Sequence, residues 1–152
     1  MIKILIVEDK SAFGVEDVLK YLKDKKLKFE ITLCSNTINS IRYLRYNFDK
    51  IDLIIFNFGN YREKGEKVKL NTEGFNLIQE IDSLTKTKNK KNLSIIINSS
   101  TKLELPNTIP EEIYFSNLKA KCGITINHTD KIDGLYVYEF IEKNMSEKIE
   151  FQ

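Results

Sequence analysis

The chain has 152 residues, which suits about one domain on the usual range of ~100 to 200 residues per domain. With 41% hydrophobic and 30% charged residues, its composition is that of a globular protein and excludes an intrinsically disordered chain. The net charge of +2 is the small difference between 24 basic and 22 acidic residues, which argues against nucleic acid as the main partner.

Hydrophobic run lengths and cysteine usage indicate the cellular compartment of the protein. No apolar run reaches the ~18 to 20 residues of a membrane-spanning helix, and the apolar stretch 4–7 is too short for the core of a signal peptide. We therefore expect a cytoplasmic protein with no membrane partner. Cys34 and Cys122 lie far apart and His128 is the only histidine, so a structural zinc site lacks ligands and we expect both thiols to be reduced.

Apolar side chains change their period repeatedly along the chain, which predicts strands alternating with helices. The first strand is an apolar, largely β-branched run that ends at Glu8 and Asp9, and Ser11 is the predicted N-cap of the first helix. Phe29, Ile31 and Leu33 alternate with polar residues in the second strand. In chain order, the predicted elements are strand 2–7, helix 11–22, strand 29–33, helix 38–48, strand 52–56, a helix from 73, strand 93–97, helix 110–121, strand 123–127 and helix 131–144.

The connecting segments are polar, and one of them is unusually long. Residues 58–72 contain glycine and show no periodicity, and loops beyond ~12 residues are often functional or disordered. Residues 86–91 form a basic connector, which is typical of a solvated loop. We expect one domain over residues 1–145, followed by a short C-terminal tail at 146–152 that is either frayed or a short extension.

Strands that alternate with helices predict an α/β fold, a doubly wound five-stranded parallel sheet with helices on both faces. In such sheets, ligands bind at the carboxyl ends of the strands. The candidate functional residues are therefore those that close a strand: Glu8, Asp9, Asn57, Ser99 and His128. Two adjacent carboxylates facing another strand end suit Mg²⁺, which prefers oxygen ligands.

The pattern resembles the receiver domains of response regulators in two-component signalling. Residues 4–9 (ILIVED) resemble the first strand of that family, and residues 52–56 (DLIIF) resemble the third strand, which leads to the phosphoacceptor aspartate. Residues 74–78 (GFNLI) resemble the start of the third helix, and residues 94–100 (SIIINSS) resemble the fourth strand. The resemblance extends over residues 2 to about 143 and implies the flavodoxin-like strand order 2-1-3-4-5.

The resemblance also assigns roles to individual positions. Asp9 matches the main metal carboxylate of the family, Glu8 its acidic neighbour, and the carbonyl of Gly59 the third metal ligand. Ser99 matches the hydroxyl that contacts the phosphoryl group. The phosphoacceptor position holds Asn57, whose neutral amide is a poor nucleophile, so phosphorylation at this position is not expected.

Two other features of the family are missing. The conserved lysine of receivers is matched by His128, or by Asn127 if the alignment shifts by one residue, and neither supplies a fixed cation at pH 7. Residues 124–126 contain no aromatic ring where the family has one. Together these losses imply a stand-alone receiver-like signalling module that is not an enzyme, requires no cofactor and binds Mg²⁺ weakly at most. Its partner would be a signalling kinase, an output protein or a second copy in a homodimer.

Other interpretations of the same residues stay open. Glu8 and Asp9 could form a solvated strand end or a helix cap, Asn57 could hydrogen-bond Asp9, and Ser99 could cap the next turn. A receiver phosphorylated at another residue, such as Asp9 or Ser99, is one functional alternative. The other is a flavodoxin-like protein that binds a nucleotide or small ligand, although residues 8–11 lack the glycines of a phosphate-binding loop.

Overall fold

The computed structural model describes residues 1–8, 14–34, 37–58, 68–69, 72–88, 93–99, 103–104, 116, 123–127 and 132–152. Along these residues the longer elements are β1 (Ile2–Glu8), α1 (Val15–Asp24), β2 (Phe29–Cys34), α2 (Thr37–Asn47), β3 (Leu53–Phe58), α3 (Thr72–Lys88), β4 (Ser94–Ser99), β5 (Gly123–Asn127) and α4 (Gly134–Asn144). Short 3-10 helices lie at Phe48–Lys50 and Ser146–Lys148, and two-residue strands at Val68–Lys69 and Leu103–Glu104 pair in parallel.

The main sheet is parallel, with neighbouring strands in the order β2-β1-β3-β4-β5. One line of paired residues crosses four of its strands. Ile6 pairs with Leu33 on one side and with Ile55 on the other, and Ile55 pairs with Ile96. This order is the doubly wound arrangement that flavodoxins and receiver domains share. The predicted flavodoxin-like α/β fold with a parallel sheet is therefore confirmed.

Two apolar layers cover the sheet, because successive side chains of a strand point to opposite faces. The unbroken apolar runs of β1, β3 and β4 supply both layers at once, as expected of strands buried on both sides. The α1/α4 layer contains Ile4, Ile6, Ile55 and Ile96 of the sheet with Val18, Leu22, Val137 and Ile141 of the helices. The α2/α3 layer contains Leu5, Ile54, Phe56 and Ile97 of the sheet with Leu44, Leu77, Ile78 and Ile81 of the helices.

A bidentate ion pair joins the two helices of the second layer. The Arg45 guanidinium donates from Nε to Glu80 Oε1 at 2.7 Å and from Nη2 to Glu80 Oε2 at 3.3 Å. This carboxylate raises the pKa of Arg45, chiefly through the hydrogen bond. Arg45 is exposed, so the pair orients α2 against α3 more than it adds stability.

Residues 146–152 form the short extension rather than a frayed tail. Phe151 makes an antiparallel bridge to Leu27, which precedes β2. Lys148 Nζ donates to Asp52 Oδ1 at 2.5 Å, just before β3, and the Lys3 backbone N–H donates to Asp52 Oδ2 at 2.9 Å. The segment therefore closes the end of the sheet at which its strands begin.

Several predicted boundaries need correction. The predicted loop 58–72 is shorter at both ends, because Phe58 belongs to β3 and Thr72 to α3, and it carries the strand Val68–Lys69. The prediction of a basic connector over residues 86–91 was wrong for its first half, since α3 continues to Lys88. Of the predicted helix 110–121, only Ser116 is described, and it is helical.

The starts of two helices also differ from the prediction. Helix α1 begins at Val15 after Gly14, whose φ of 87° needs the conformational freedom of glycine, whereas the predicted N-cap Ser11 lies outside the described residues. Helix α4 begins at Gly134 rather than at residue 131, because Asp133 caps it. None of the described helices has the length and apolar character needed to cross a bilayer.

Candidate functional site

The carboxyl ends of the strands form a row of polar residues across the sheet. Glu8 of β1 pairs with Asn57 of β3, Asn57 pairs with Asn98 of β4, and Asn98 pairs with Asn127 of β5. In a parallel sheet, residues paired in this way occupy one line at the same height. The register thus brings the backbones of one acidic and three amide residues side by side, with Asn57 between Glu8 and Asn98.

Asn98 is the member of this row that the sequence analysis did not single out. Its side chain is fully buried, at 0% exposure, and is engaged in interactions within the fold. It follows the last isoleucine of β4 just as Asn57 follows Phe56 at the same level of β3. A polar residue directly after a continuous apolar run was the available signal, but the neighbouring Ser99 drew the assignment because of the family resemblance.

The start of α1 and the segment that leads into α4 are held together beside this edge. A side chain at Gly14 would overlap the backbone carbonyl of Ile132, so the two backbones touch where only glycine fits. A side chain at Gly134 would likewise overlap Tyr21 of α1. Gly14 and Ile132, the first described residues after Glu8 and after Asn127, are therefore fixed against each other by tight backbone packing.

Two carboxylates fix the beginning of α4. Asp17 of α1 accepts a hydrogen bond from the Gly134 backbone N–H at 2.8 Å, and Asp133 accepts one from the Tyr136 N–H at 2.7 Å. Both acids lie at the positive end of the helix dipole, where a negative charge is stabilising. The sequence analysis missed the role of Asp17, because the helical pattern gives no sign that its partner lies 117 residues away.

The predicted site residues are described to different extents. By their backbones, Glu8 and Ser99 close β1 and β4, whereas Asn57 is the last but one residue of β3, because that strand continues to Phe58. Ser99 pairs with Phe58. Asp9, Gly59 and His128 lie outside the described residues. Their roles, and those of Glu8, Asn57 and Ser99, stay predictions.

Two of the three predicted Mg²⁺ ligands, Asp9 and Gly59, lie outside the described residues. Among the described side chains, no three carboxylate, imidazole or thiol groups come together in a group that could hold a metal ion. Of the three predicted Mg²⁺ ligands, only Glu8 has a described backbone, and it pairs with an amide residue rather than with a second carboxylate. An amide oxygen is a possible ligand but brings no charge, so it attracts a divalent cation less than aspartate does.

Cys34, the cysteine among the described residues, is buried near this edge. Cys34 ends β2, pairs with Val7 and is 8% exposed. Burial raises the pKa of its thiol, and a hydrogen bond with Ser40 offsets part of that rise. A raised pKa keeps the thiol protonated at neutral pH, which is the opposite of what a cysteine nucleophile requires.

Solved structures of other proteins superpose on nearly the whole chain. A candidate pilus assembly protein, CpaE of Burkholderia thailandensis, gives a TM-score of 0.53 at 10% identity, covering 96% of this chain and 99% of that chain. The fold is the same. The response regulator domain of Thermotoga maritima CheB gives 0.49 at 15% identity, covering 96% and 98%. A flavodoxin-like domain from a Synechococcus protein gives 0.44 at 8% identity, covering 93% and 92%.

The likeness to the CpaE structure concerns the fold alone, because the identity is 10%. No protein-family model matches the sequence, and no curated protein sequence matches it. The strand order and the two helical layers nevertheless agree with a receiver-like fold, since receivers and flavodoxins share this arrangement. Because one fold can carry many functions, the function depends on the residues at the carboxyl edge of the sheet.

Proposed function

We propose that the chain is a receiver-like signalling module that acts through protein–protein contacts and is not switched by a phosphoryl group at residue 57. The observation that carries this proposal is the position of Asn57 at the carboxyl edge, on the central strand β3, paired with Glu8 and Asn98. In receivers, the corresponding strand leads to the aspartate that accepts the phosphoryl group. Here an amide residue occupies that place in a receiver-like sheet.

The chemistry of the amide explains the loss of phosphotransfer. An aspartate attacks phosphorus through an anionic oxygen, whereas the oxygen of Asn57 is uncharged and weakly nucleophilic. The lysine position holds His128 or Asn127, so no permanent cation is present there to pair with a phosphoryl group. Glu8, Asp9 and the carbonyl of Gly59 remain as a weak Mg²⁺ site, and Ser99 remains as a hydroxyl beside it.

A module without phosphotransfer has to transmit its signal through its surface. We propose a protein partner, either a signalling kinase, an output protein or a second copy of the chain, and no catalytic activity of its own. The ordinary globular composition and the near balance of charge support a protein partner over nucleic acid. The proposed setting is the cytoplasm.

Intact-mass spectrometry after incubation with Mg²⁺ and a small phosphoramidate donor tests the proposal. We expect the wild-type mass to stay unchanged, because Asn57 cannot form an acyl phosphate. The double variant Asn57→Asp, His128→Lys should gain one phosphoryl group, because it restores the acceptor and the cation. As a matched control, Asn144→Asp with His128→Lys adds the same charges with the new carboxylate on the exposed end of α4 and should stay unmodified.

Two results would contradict the proposal. A phosphoryl adduct on the wild-type chain would identify a receiver phosphorylated elsewhere, and peptide mapping would then distinguish Asp9 from Ser99. A double variant that folds but gains no phosphoryl group would remove the receiver basis of the argument, because the edge would then lack the geometry of a phosphorylation site even with its residues restored. Circular dichroism on both variants establishes that they fold.

A further inference from the structure

Strand β2 forms an edge of the sheet. It pairs with β1, and within the described ranges no strand pairs with its other side. The Lys28 carbonyl accepts a hydrogen bond from the Ile2 N–H at 3.1 Å, which fixes the alternation of backbone groups along the strand. Glu30 and Thr32 therefore direct their N–H and C=O groups towards β1, as Lys28 directs its C=O, whereas Phe29, Ile31 and Leu33 direct theirs outward.

The three residues with outward backbone groups also share one face of the sheet. Their partners on β1 are Ile2, Ile4 and Ile6, so they continue the α1/α4 layer to the edge. Phe29 and Ile31 are half-buried, and Leu33 is 48% exposed. A strand edge with available hydrogen-bonding groups and an apolar stripe is a template for another strand. β2 contains no proline or lysine, and its one charged residue, Glu30, lies on the face opposite the apolar stripe.

We propose that β2 pairs antiparallel with β2 of a second copy, so that the two sheets join into one across a twofold axis at Ile31. The second copy would be the protein partner proposed above. The dimer itself follows from the β2 edge, and only its role in signalling rests on the proposed function. In this register Ile31 faces Ile31 of the second copy, and Phe29 faces Leu33. Each of these pairs can exchange both of its hydrogen bonds, because the outward backbone groups of both strands meet.

Side-chain pairing favours the same register and the same kind of partner. On one face, the apolar pairs form a continuous stripe that would cover Leu33. On the other face, Glu30 lies opposite Thr32 of the second copy, so no charged residue directly faces a like charge. In this register β2 is complementary to itself, both in its apolar pairs and in its charges. A second copy of the chain therefore fits, because an isologous contact requires a self-complementary surface.

The neighbouring registers are less favourable. A twofold axis at Glu30 would place two carboxylates directly opposite each other, which is destabilising. An axis at Thr32 would leave Phe29 without an apolar partner and would use fewer of the outward backbone groups. The register centred on Ile31 alone uses every outward group of Phe29, Ile31 and Leu33.

Sedimentation velocity of the full chain over a range of concentrations tests the proposed dimer. We expect the wild type to form a dimer and Leu33→Lys to raise the dissociation constant at least ~10-fold, because a charge would enter the apolar stripe at both symmetric positions. Leu33 is exposed in the single chain, so the variant should still fold. Tyr46→Lys, on an 86% exposed residue of α2, is the matched control and should dimerise like the wild type.

A disulfide experiment tests the register itself. In a background with Cys34→Ser and Cys122→Ser, the pair Glu30→Cys and Thr32→Cys should cross-link two chains on mild oxidation, because these positions form a close non-hydrogen-bonded pair. Tyr46→Cys in the same background should not cross-link. A chain that stays monomeric at high concentration, or a dimer that Leu33→Lys leaves intact and the cysteine pair fails to link, would overturn the proposal.

The outcomes also separate this inference from the proposed function. A monomeric chain that stays unphosphorylated would leave the proposed function standing and overturn the β2 dimer. A dimeric chain that gains a phosphoryl group would retain the β2 contact while contradicting the phosphorylation-independent module.

Discussion

At the scale of single residues, the Cys34 thiol responds to burial in a way that can be measured. Burial raises the pKa of this thiol above its value in the unfolded chain, so between the two values the folded protein keeps a proton that the unfolded chain releases. The contribution of this thiol to stability is therefore fully present below the unfolded pKa. It is lost as pH rises through the folded pKa.

We expect Cys34 to react slowly with a thiol reagent at pH 8. In a Cys122→Ser background, the native chain should be modified at least ~10-fold more slowly than the same chain in denaturant, because the thiol is both buried and protonated. The control is Tyr46→Cys with both natural cysteines replaced by serine, which should react at the rate of an exposed thiol. Equal native and denatured rates for Cys34 would show that β2 opens readily at its carboxyl end.

At the scale of elements, the segment that ends α1 contains a lysine in a backbone conformation that favours glycine. Lys26 has a φ of 57°, in the left-handed region that favours glycine. The Lys26 N–H donates to the Lys23 carbonyl at 2.8 Å and the Leu27 N–H to the Leu22 carbonyl at 3.1 Å. This is the Schellman arrangement, with buried Leu22 and Leu27 making its characteristic apolar contact.

Lys26→Gly should therefore stabilise the protein by about 0.5 to 1 kcal/mol, because glycine removes the strain of the left-handed conformation while losing some entropy on folding. Lys23→Gly is the matched control, since it places glycine inside the same helix and should destabilise by about 1 kcal/mol. Urea unfolding followed by circular dichroism measures both changes. A loss of stability in Lys26→Gly would mean that the lysine side chain contributes contacts that outweigh the backbone strain.

The same scale shows what the sequence could predict and what it could not. The order of strands and helices was readable because strands buried on both faces appear as continuous apolar runs, as in 53–56 and 95–97. The exposure of Leu33 was not readable, because alternation marks an apolar face but does not tell which strand lies at the edge of the sheet. Tertiary pairing decides that, and it places β2 outermost.

The candidate site likewise has features that the sequence predicts and features that it does not. Asn57 was identified because it directly follows an apolar run, which is a local signal in the sequence, whereas Ser99 was identified through the family resemblance. The pairing of Asn57 with Asn98 could not be predicted, because strands buried on both faces read as continuous apolar runs, and such runs do not show which residues of neighbouring strands lie side by side. The contact between Asp17 and Gly134 was hidden because it joins two helices whose residues lie 117 positions apart in the chain.

At the scale of the whole molecule, the two ends of the chain meet where the strands begin. The Met1 ammonium donates to Glu150 Oε1 at 2.8 Å and thereby lowers the pKa of that carboxyl. The Lys28 N–H donates to the Glu150 carbonyl at 2.8 Å, so residues before β1 and β2 are both tied to the last segment. The carboxyl edge, where the candidate site lies, is thus at the opposite end of the sheet from this closure.

The ion pair between Lys148 and Asp52 is the most buried of these ties, with side-chain exposures of 25% and 14%. Lys148→Met should lower the free energy of unfolding by about 1 to 2 kcal/mol, because Asp52 would keep the Lys3 N–H but lose its cation in a largely desolvated position. Lys143→Met, which removes an equal charge from the exposed end of α4, should change stability by less than about 0.5 kcal/mol. Urea unfolding of both variants at pH 7 decides the matter. If the two variants lose equal stability, net charge and not the tie to β3 is what the C-terminal segment contributes.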